Sequence, residues 1–244
     1  MTLLEVHDIT KAFGGLVAVN RASFSVEAGS ITALIGPNGA GKTTAFDLIC
    51  GVVEPDLGTV LLKGADLTAG HPHAICDAGV GRTFQITREL GDLTVLENMV
   101  VPFARGGFST LFRPRIMPNE RERAMDLLSF VGIDHLAVEL AKQLSYGQRK
   151  LLEFASVLMA EPKLVMLDEP AGGVNPALME RIMDRIEKLN DGGTTFLIVE
   201  HNMDVVMRLS HSVIVMAHGQ VILQGSPEEV RADGRVLDAY LGVA

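Results

Sequence analysis

The segment 36-GPNGAGKT-43 constrains the fold of this chain more than any other stretch of its sequence. It follows the pattern G-x-x-x-x-G-K-[ST], in which glycines let successive backbone N–H groups curl around phosphate oxygens. The apolar run SITALIG comes before it, and the helical pattern KTTAFDLIC comes after it. The loop therefore joins a strand to the positive end of a helix, which is the context that a phosphate-binding loop requires.

The residues of this loop have separate expected roles. Lys42 should reach the β- and γ-phosphates of a nucleotide, and the hydroxyl of Thr43 should hold Mg²⁺. The predicted nucleotide-binding positions in the loop and at the start of the helix are Gly36, Asn38, Gly39, Ala40, Gly41, Lys42, Thr43 and Thr44.

Strand and helix patterns alternate along the chain and predict an α/β fold. With 244 residues, 48 % of them hydrophobic, the chain can bury a large core. Several predicted strands are apolar throughout, which is typical of parallel strands covered by helices on both faces. The first runs have no helix between them and predict a small antiparallel sheet. The predicted strands are LLEVHDI, FSV, SITALIG, TVLLKG, KLVMLDE, TTFLIVE, SVIVMA and QVILQG.

Strand signals vanish between about residues 86 and 145, where a helical lobe is predicted. TVLENMVVPFA and PNERERAMDLLSFVG have the pattern of helices on either side of the loop at 105–118. We therefore predict a single domain over residues 1–244. Its α/β core would comprise residues 1–85 and 160–244, with a helical subdomain at 86–159 inserted between them.

Charge and composition exclude several other classes of protein. The formal net charge of -9 argues against a general affinity for nucleic acid, because phosphate backbones select basic surfaces. No apolar run approaches the length of a membrane helix, and acidic residues near the start disfavour a signal peptide, so we expect a cytosolic chain. Cys50 and Cys76 lack motif spacing and are expected to be small apolar filler.

A second motif, 164-LVMLDEP-170, carries two adjacent carboxylates at the end of an apolar strand. Adjacent strand residues point to opposite sides, so Asp168 and Glu169 should have different roles. Asp168 suits Mg²⁺ through water, while Glu169 can face the γ-phosphate and orient or deprotonate the attacking water.

Taken in order along the chain, these motifs resemble those of ATP-binding subunits of ABC transporters. GPNGAGKT is similar to the Walker A loop, LVMLDE to the Walker B strand, and 144-LSYGQ-148 to the signature usually written LSGGQ. Gln85 in 82-RTFQ-85 resembles the Q-loop glutamine, and His201 in 199-VEH-201 resembles the switch histidine. The resemblance spans essentially the whole chain and implies a P-loop NTPase core with a mainly parallel sheet, an N-terminal antiparallel β subdomain and an inserted α-helical subdomain.

The resemblance implies further site residues. Phe13 matches the aromatic residue that stacks on adenine, since a flat ring can hold a base without reading its edges. Gln85 would reach Mg²⁺ or the attacking water, and His201 would bond a γ-phosphate oxygen. The implied ligands are ATP and Mg²⁺, with catalytic residues Glu169, His201 and Gln85 and metal-binding residues Thr43, Gln85 and Asp168.

The signature segment has two readings that the sequence leaves open. Ser145 and Gln148 form an S-x-x-Q capping box, which alone would explain a well-capped helix. In the family, two subunits meet head to tail, and each signature helix presents donors to the ATP of the other. The resemblance therefore implies that Ser145, Tyr146, Gly147 and Gln148 face a partner's ATP, although Tyr146 replaces the first signature glycine.

One more departure lies in 171-AGGVNP-176, where the family often has SALDP. Asn175 occupies the aspartate position and is expected to lie at the interface between subunits. An amide there can hydrogen-bond across the interface but carries no charge to pair with the opposite chain.

Finer features resemble importers of branched-chain amino acids and related amides: GRTFQ, the GGFSTLF stretch, SYGQ, VEHNMDVVM and the ending DAYLG. The implied partners are a second ATP-binding subunit, identical or paralogous, membrane permease subunits and, indirectly, an extracytoplasmic solute-binding protein. The chain would then be peripheral on the inner face of the cell membrane. The family's permease groove beside the Q-loop would be lined here by Ile86, Arg88 and Leu90.

Two alternatives come from other classes. A soluble ABC ATPase of DNA repair or translation would carry long coiled coils or two cassettes in one chain, and neither is present. A non-catalytic nucleotide-binding regulator is disfavoured because Lys42, Glu169 and His201 are all in place.

Overall fold

The computed structural model describes residues 1–83, 89–101 and 116–241. Two sheets and the helices around them account for most of these residues. The strands are β1 (Thr2–Phe13), β2 (Leu16–Glu27), β3 (Ile31–Ile35), β4 (Leu57–Leu62), β5 (Ala65–Asp66), β6 (Val80–Arg82), β7 (Leu164–Asp168), β8 (Thr195–Val199), β9 (Ser212–Ala217) and β10 (Gln220–Gly225). The helices are α1 (Lys42–Ile49), α2 (Pro72–Ala78), α3 (Val95–Val100), α4 (Pro118–Val131), α5 (Tyr146–Leu158), α6 (Pro176–Asp191), α7 (Met203–Leu209), α8 (Pro227–Ala232) and α9 (Gly234–Leu241).

The smaller sheet has the order β2-β1-β4-β5, and its pairs are antiparallel. β1 and β2 form the antiparallel pair expected for the first apolar runs, which have no helix between them, and β4 and β5, which follow α1 in the chain, extend that pair. The sheet packs against α1 and the larger sheet through a shared apolar cluster that includes Val6, Val60 and Phe46.

The larger sheet has the order β10-β9-β3-β8-β7-β6, and every pair except β9 with β10 is parallel. Val199 at the end of β8 pairs with Leu34 of β3 on one side and with Asp168 of β7 on the other. The carboxyl ends of these neighbouring strands therefore lie in one row. The segments that follow them must meet at the same edge of the sheet.

Successive side chains of the buried strand β7 point to opposite faces of the larger sheet, and each face is covered by a different apolar cluster. Val165 and Leu167 belong to the cluster that contains the helices α3 to α6, whereas Leu164 and Met166 belong to the cluster under the smaller sheet. All of them are fully buried. A strand that is apolar throughout is thus explained by a sheet covered on both faces, as the sequence predicted.

The predicted helices in the middle of the chain are present in the described residues. α3 begins with a capping box between Thr94 and Glu97, and α4 covers 118–131 as predicted. The helix at the signature segment, α5, follows the N-cap residue Ser145. Residues 102–104 at the end of the first predicted helix lie outside the described residues.

Among the residues that the structure describes, no helix combines the length and apolar character needed to cross a membrane.

Candidate nucleotide site

The phosphate loop leads from β3 to α1 and is braced by the chain behind it. Gly36 has φ 146°, and a Cβ there would lie 2.1 Å from the carbonyl oxygen of Met216. Gly41 has φ 96°, and a Cβ there would lie 2.4 Å from the carbonyl oxygen of Ala18. Any side chain at these two positions would push the loop off the backbone that supports it.

Lys42 lies in the middle of this loop, with only 6 % of the residue exposed. Its Nζ donates to the carbonyl oxygens of Gly36 at 2.7 Å and Pro37 at 2.9 Å. Burial lowers the pKa of Lys42, while the nearby carboxylates of Glu169 and Asp168 act in the opposite direction. The ammonium is therefore held at the loop by neutral carbonyls, so an anion that enters the loop would meet a positive charge without a bonded counter-ion.

A cavity of about 680 Å³ opens above the loop, and we call it the nucleotide cavity. Its volume is in the range of small-molecule and cofactor sites. Gly36 is buried behind it. The predicted site residues that line it are Phe13, Asn38, Gly39, Ala40, Gly41, Lys42, Thr43, Thr44, Glu169 and His201.

Phe13 ends β1 on the rim of the nucleotide cavity, with 49 % of the residue exposed. Leu16 and Val17 on the same rim are also exposed, and contiguous exposed apolar residues mark ligand-binding grooves. The ammonium of Lys11 lies 5.9 Å from the ring centroid and is itself held by Asp56 at 2.7 Å. The ring is thus available to stack on a flat group that enters the cavity.

Glu169 and His201 meet across the nucleotide cavity. The Nε2 of His201 lies 2.7 Å from Oε1 of Glu169. Glu169 follows β7 with φ 49°, and its N–H donates to the carbonyl of Val199 at 2.9 Å. This turn carries Glu169 away from the line of the strand and into the cavity, where a carboxylate can accept a proton from a bound water.

Asp168 occupies a different environment from Glu169, as the sequence predicted for adjacent residues. It is 3 % exposed and does not line the nucleotide cavity. Its Oδ2 lies 3.6 Å from Nη2 of Arg82, whose Nη1 donates to Asp47 at 2.6 Å. Burial raises the pKa of Asp168, and Arg82 opposes this rise.

The described residues hold no group of three or more His, Cys, Asp or Glu side chains that could bind a metal. The oxygen ligands predicted for Mg²⁺ among the described residues are the hydroxyl of Thr43, on the nucleotide cavity, and the carboxylate of Asp168, whose charge acts on Lys42. This small set suits Mg²⁺, which keeps several waters and shares substrate phosphates rather than filling a protein cage. Gln85, the third predicted metal-binding residue, lies outside the described residues.

The signature residues line a second cavity of about 560 Å³, which we call the signature cavity. Ser145, Tyr146, Gly147, Gln148 and Asn175 all contribute to it, and none of them lines the nucleotide cavity. The structure therefore separates these residues from the chain's own phosphate loop.

The capping box at the start of α5 is formed. The N–H of Gln148 donates to Oγ of Ser145 at 3.3 Å, and the N–H of Ser145 donates to Oε1 of Gln148 at 2.8 Å. Tyr146 turns toward the segment after β7, where its hydroxyl donates to the carbonyl of Gly172 at 3.3 Å. A Cβ on Gly147 would lie 2.4 Å from Leu178, so this position accepts only glycine without a shift.

Asn175 acts within its own chain as the N-cap of α6. Its Oδ1 accepts from the N–H of Leu178 at 2.9 Å, and Pro176 follows at the first helical position. The residue is exposed, so its amide NH₂ can still reach another chain.

Sequence reasoning missed a buried carboxylate at the edge of the site. Glu200 is 4 % exposed and accepts from three backbone N–H groups: Ala171 at 3.1 Å, His201 at 2.9 Å and Asn202 at 3.2 Å. It ties the segment after Glu169 to the segment that carries His201. Its position directly after an apolar strand was the available signal.

Comparison with known proteins agrees with this geometry. The sequence model described as ABC transporter matches residues 19–172, and the one described as Branched-chain amino acid ATP-binding cassette transporter matches residues 220–244. The chain is 41 % identical to the probable branched-chain amino acid transport ATP-binding protein LivG of Archaeoglobus fulgidus, over 99 % of this chain and 96 % of that protein. It is 38 % identical to the high-affinity branched-chain amino acid transport ATP-binding protein BraF of Pseudomonas aeruginosa, over 99 % and 98 % of the two chains.

A solved structure has the same architecture. The ADP conformation of MJ1267, an ATP-binding cassette of an ABC transporter, superposes with a TM-score of 0.87 at 35 % identity, covering 99 % of each chain.

The chain belongs to the ABC transporter family. It is one of the family's ATP-binding cassettes, with ATPase activity coupled to transport, and it falls in the branch whose members are named for branched-chain amino acids. The predictions of family, α/β fold and enzyme class are therefore confirmed.

Proposed function

We propose that this chain binds and hydrolyses Mg·ATP to power a membrane importer of branched-chain amino acids or related amino acids and amides. The observation that carries the proposal is one cavity that holds the phosphate loop together with Glu169 and His201. The identity of the solute is supported by the relatives in Archaeoglobus fulgidus and Pseudomonas aeruginosa, which are named for branched-chain amino acid transport.

ATP would bind with its base on Phe13 and its phosphates on the loop. The backbone N–H groups of 38–44 and the N-terminus of α1 offer donors to the phosphate oxygens. Lys42 would exchange its bonds with the carbonyls of Gly36 and Pro37 for bonds with the β- and γ-phosphates. A charge-assisted bond to phosphate is stronger than one to a neutral carbonyl, so this exchange favours the bound state.

Glu169 is the proposed base for hydrolysis. It would orient a water toward the γ-phosphorus and accept its proton as the bond to the leaving phosphate oxygen breaks. His201 already contacts Oε1 of Glu169 at 2.7 Å. Its imidazole would also bond a γ-phosphate oxygen and so fix the position of the phosphate relative to the carboxylate. Thr43 and Asp168 would hold Mg²⁺, with Gln85 as a further donor, and the ion neutralises charge on the β- and γ-phosphates when bound.

A second ATP-binding subunit is part of the proposal. Ser145, Tyr146, Gly147 and Gln148 lie on the signature cavity, apart from the nucleotide cavity of the same chain. This separation supports a head-to-tail pair in which the signature segment of each chain completes the ATP site of the other. Asn175, exposed beside the signature cavity, would lie at that interface.

The proposed contact with the permease is an apolar cavity of about 380 Å³ between the sheet and α5. It is lined by Val52, Ile75, Leu90 and Val157, with the ion pair of Glu89 and Arg149 at 3.2 Å on its wall. Ile86 and Arg88, which were also predicted for this contact, lie outside the described residues. In this arrangement the chain is peripheral on the inner face of the membrane, and residues 86–159 act as a helical subdomain beside the core.

Reconstitution of the transporter tests the proposed function. The chain would be co-expressed with candidate membrane permease subunits, purified in detergent and placed in liposomes with a candidate solute-binding protein. We expect ATP-dependent uptake of labelled leucine, isoleucine or valine, and none with the Glu169→Gln chain. Failure of the chain to co-purify with membrane subunits would favour a soluble ATPase, and uptake of unrelated solutes alone would refute the assigned substrate class.

A further inference from the structure

Lys150 is a buried cation that the proposed mechanism does not use. It lies on α5, two residues after the signature segment, and only 7 % of the residue is exposed. Its Nζ donates to the backbone carbonyl of Glu169 at 3.2 Å and lies 5.9 Å from the centroid of the Tyr146 ring. Within the described ranges, no carboxylate forms an ion pair with it.

Burial of an ammonium without a carboxylate partner opposes folding, because water solvates the charge better than a carbonyl and a ring do. A methionine would fill the same space in this apolar helix face at no such cost. The charge at position 150 therefore calls for a role other than packing. The group that it bonds, the carbonyl of the proposed base, indicates what that role is.

The backbone at Glu169 needs support. Its φ of 49° is left-handed, which costs a residue with a side chain about 1 kcal/mol or more. The carbonyl of this residue accepts from the N–H of Gly172 at 2.9 Å within its own turn and from Lys150 on the side of α5, while Glu200 holds the N–H of Ala171 from the side of β8. Tyr146 adds a bond from α5 to the carbonyl of Gly172.

We propose that Lys150 is a positioning residue for Glu169, an inference that rests on the proposed hydrolysis of ATP by this chain. The carbonyl and the Cβ of Glu169 share one Cα, so fixing the carbonyl in the left-handed conformation also fixes the direction of the side chain toward His201. The same helix begins at Ser145, which faces the proposed partner's ATP.

The test compares two lysines that both donate to a backbone carbonyl. Lys150→Met removes the ammonium at Glu169, and Lys163→Met removes an exposed one that donates to the carbonyl of Ala78 at 3.0 Å, away from both cavities. In the assembled transporter we expect Lys150→Met to lower kcat about tenfold or more, as a misplaced catalytic group does, with the KM for ATP changed less than about twofold. The control should change neither.

A double variant separates positioning from general stability. If Lys150 acts through the Glu169 carboxylate, Lys150→Met should cause no further loss of single-turnover hydrolysis in a Glu169→Gln chain. An equal loss in both backgrounds, or an unchanged kcat in the single variant, overturns the proposal. A parallel loss of ATP affinity in the single variant also overturns it, because that points to a distorted nucleotide site.

A second variant guards against misfolding. Lys150→Leu has no hydrogen-bond donor and suits the apolar face of α5, and we expect the same loss of kcat with a thermal midpoint close to that of the unsubstituted chain. Full kcat in this variant overturns the positioning role. Absence of hydrolysis by the unsubstituted transporter would overturn the proposed function instead, and with it the basis for Lys150.

Discussion

The nucleotide cavity and the signature cavity differ in how the chain builds them and in the chemistry they offer. The nucleotide cavity gathers side chains from several strand ends and includes an ammonium, a carboxylate and an imidazole. The signature cavity is built around the starts of α5 and α6, and its lining within the described residues contains no carboxylate. The guanidinium of Arg181 and the imidazole of His135 also line it.

This difference indicates that the two cavities have different functions. A site with a carboxylate bonded to an imidazole can move a proton, whereas a site of hydroxyl, amide and guanidinium groups without a carboxylate is better suited to binding an anion. The chain thus has one cavity suited to chemistry and one suited to recognition. The following experiments test that contrast, beginning with the largest expected effect.

The largest effect is expected at the carboxylate of the nucleotide cavity. Glu169→Gln keeps the shape of the side chain and removes its basicity, so hydrolysis by the assembled transporter should fall about a hundredfold or more. Binding of Mg·ATP, measured by calorimetry, should stay within about threefold, and dimers should accumulate in size-exclusion chromatography with ATP. Glu228→Gln, at an exposed position on α8, is the control. Turnover at the unmodified rate would show that Glu169 is not the base.

The signature cavity should respond differently. Ser145→Arg fills the space where a partner's phosphate would enter, so ATP binding to the isolated chain should change less than about twofold while closure of the pair is blocked. The measurement is nucleotide retained by purified pairs after gel filtration. Ser226→Arg is a matched control, because Ser226 caps α8 through the same kind of box with Glu229 but lines neither cavity.

Mixing two variants decides whether the signature serves the other chain. If the chain pairs with itself, a Lys42→Ala copy and a Ser145→Arg copy with separate tags place both defects in one composite site. The other site is then whole, and the mixed pair should retain one nucleotide. If the mixed pair retains none while unsubstituted tagged pairs do, Ser145 is a helix cap and no more.

A moderate effect is expected at Phe13. Loss of a stacking ring costs about 1–3 kcal/mol, so Phe13→Ala should weaken ATP binding about tenfold, while Phe13→Tyr should bind normally. Phe13→Ala should weaken the binding only of ligands that carry a nucleotide base. Calorimetry with inorganic triphosphate provides the comparison, and an equal loss for both ligands would exclude stacking as the cause.

The smallest effect is expected at Asn175. Asp is as good an N-cap as Asn, so Asn175→Asp should change the free energy of unfolding by less than about 0.5 kcal/mol, whereas Asn175→Ala should cost about 1 kcal/mol. Urea denaturation measures both. If Asn175→Asp changes turnover without changing stability, the amide acts at the interface and not only as a cap.

The fold followed from the sequence because its signals are local. The strands were recognisable as apolar runs, and the parallel sheet followed from runs such as 164–167 that are apolar on both faces. The two-residue strand β5 and the helix α2 were not predicted. Each is too brief for a periodic pattern, and β5 is defined by its pairing with β4.

The candidate site was predictable only where residues form a motif. The Walker A and Walker B segments predicted the roles of Lys42 and Glu169. Arg82 and Glu200 act through contacts between segments that are distant in sequence, and no local pattern reports such contacts. Lys150 had a usable signal, since it lies one turn before the buried Phe154 on a helix whose inward face is otherwise apolar.

The bracing of the phosphate loop also has a kinetic consequence. Gly36 and Gly41 lie against the carbonyls of Met216 and Ala18, and Gly219 donates its N–H to the carbonyl of Ala40 at 3.1 Å. A loop fixed in this way has no ordering step to complete when a nucleotide arrives. The rate at which nucleotides associate should therefore be set by diffusion and by the charge of Lys42. Differences in affinity among nucleotides should then appear mainly as differences in how long each one stays bound.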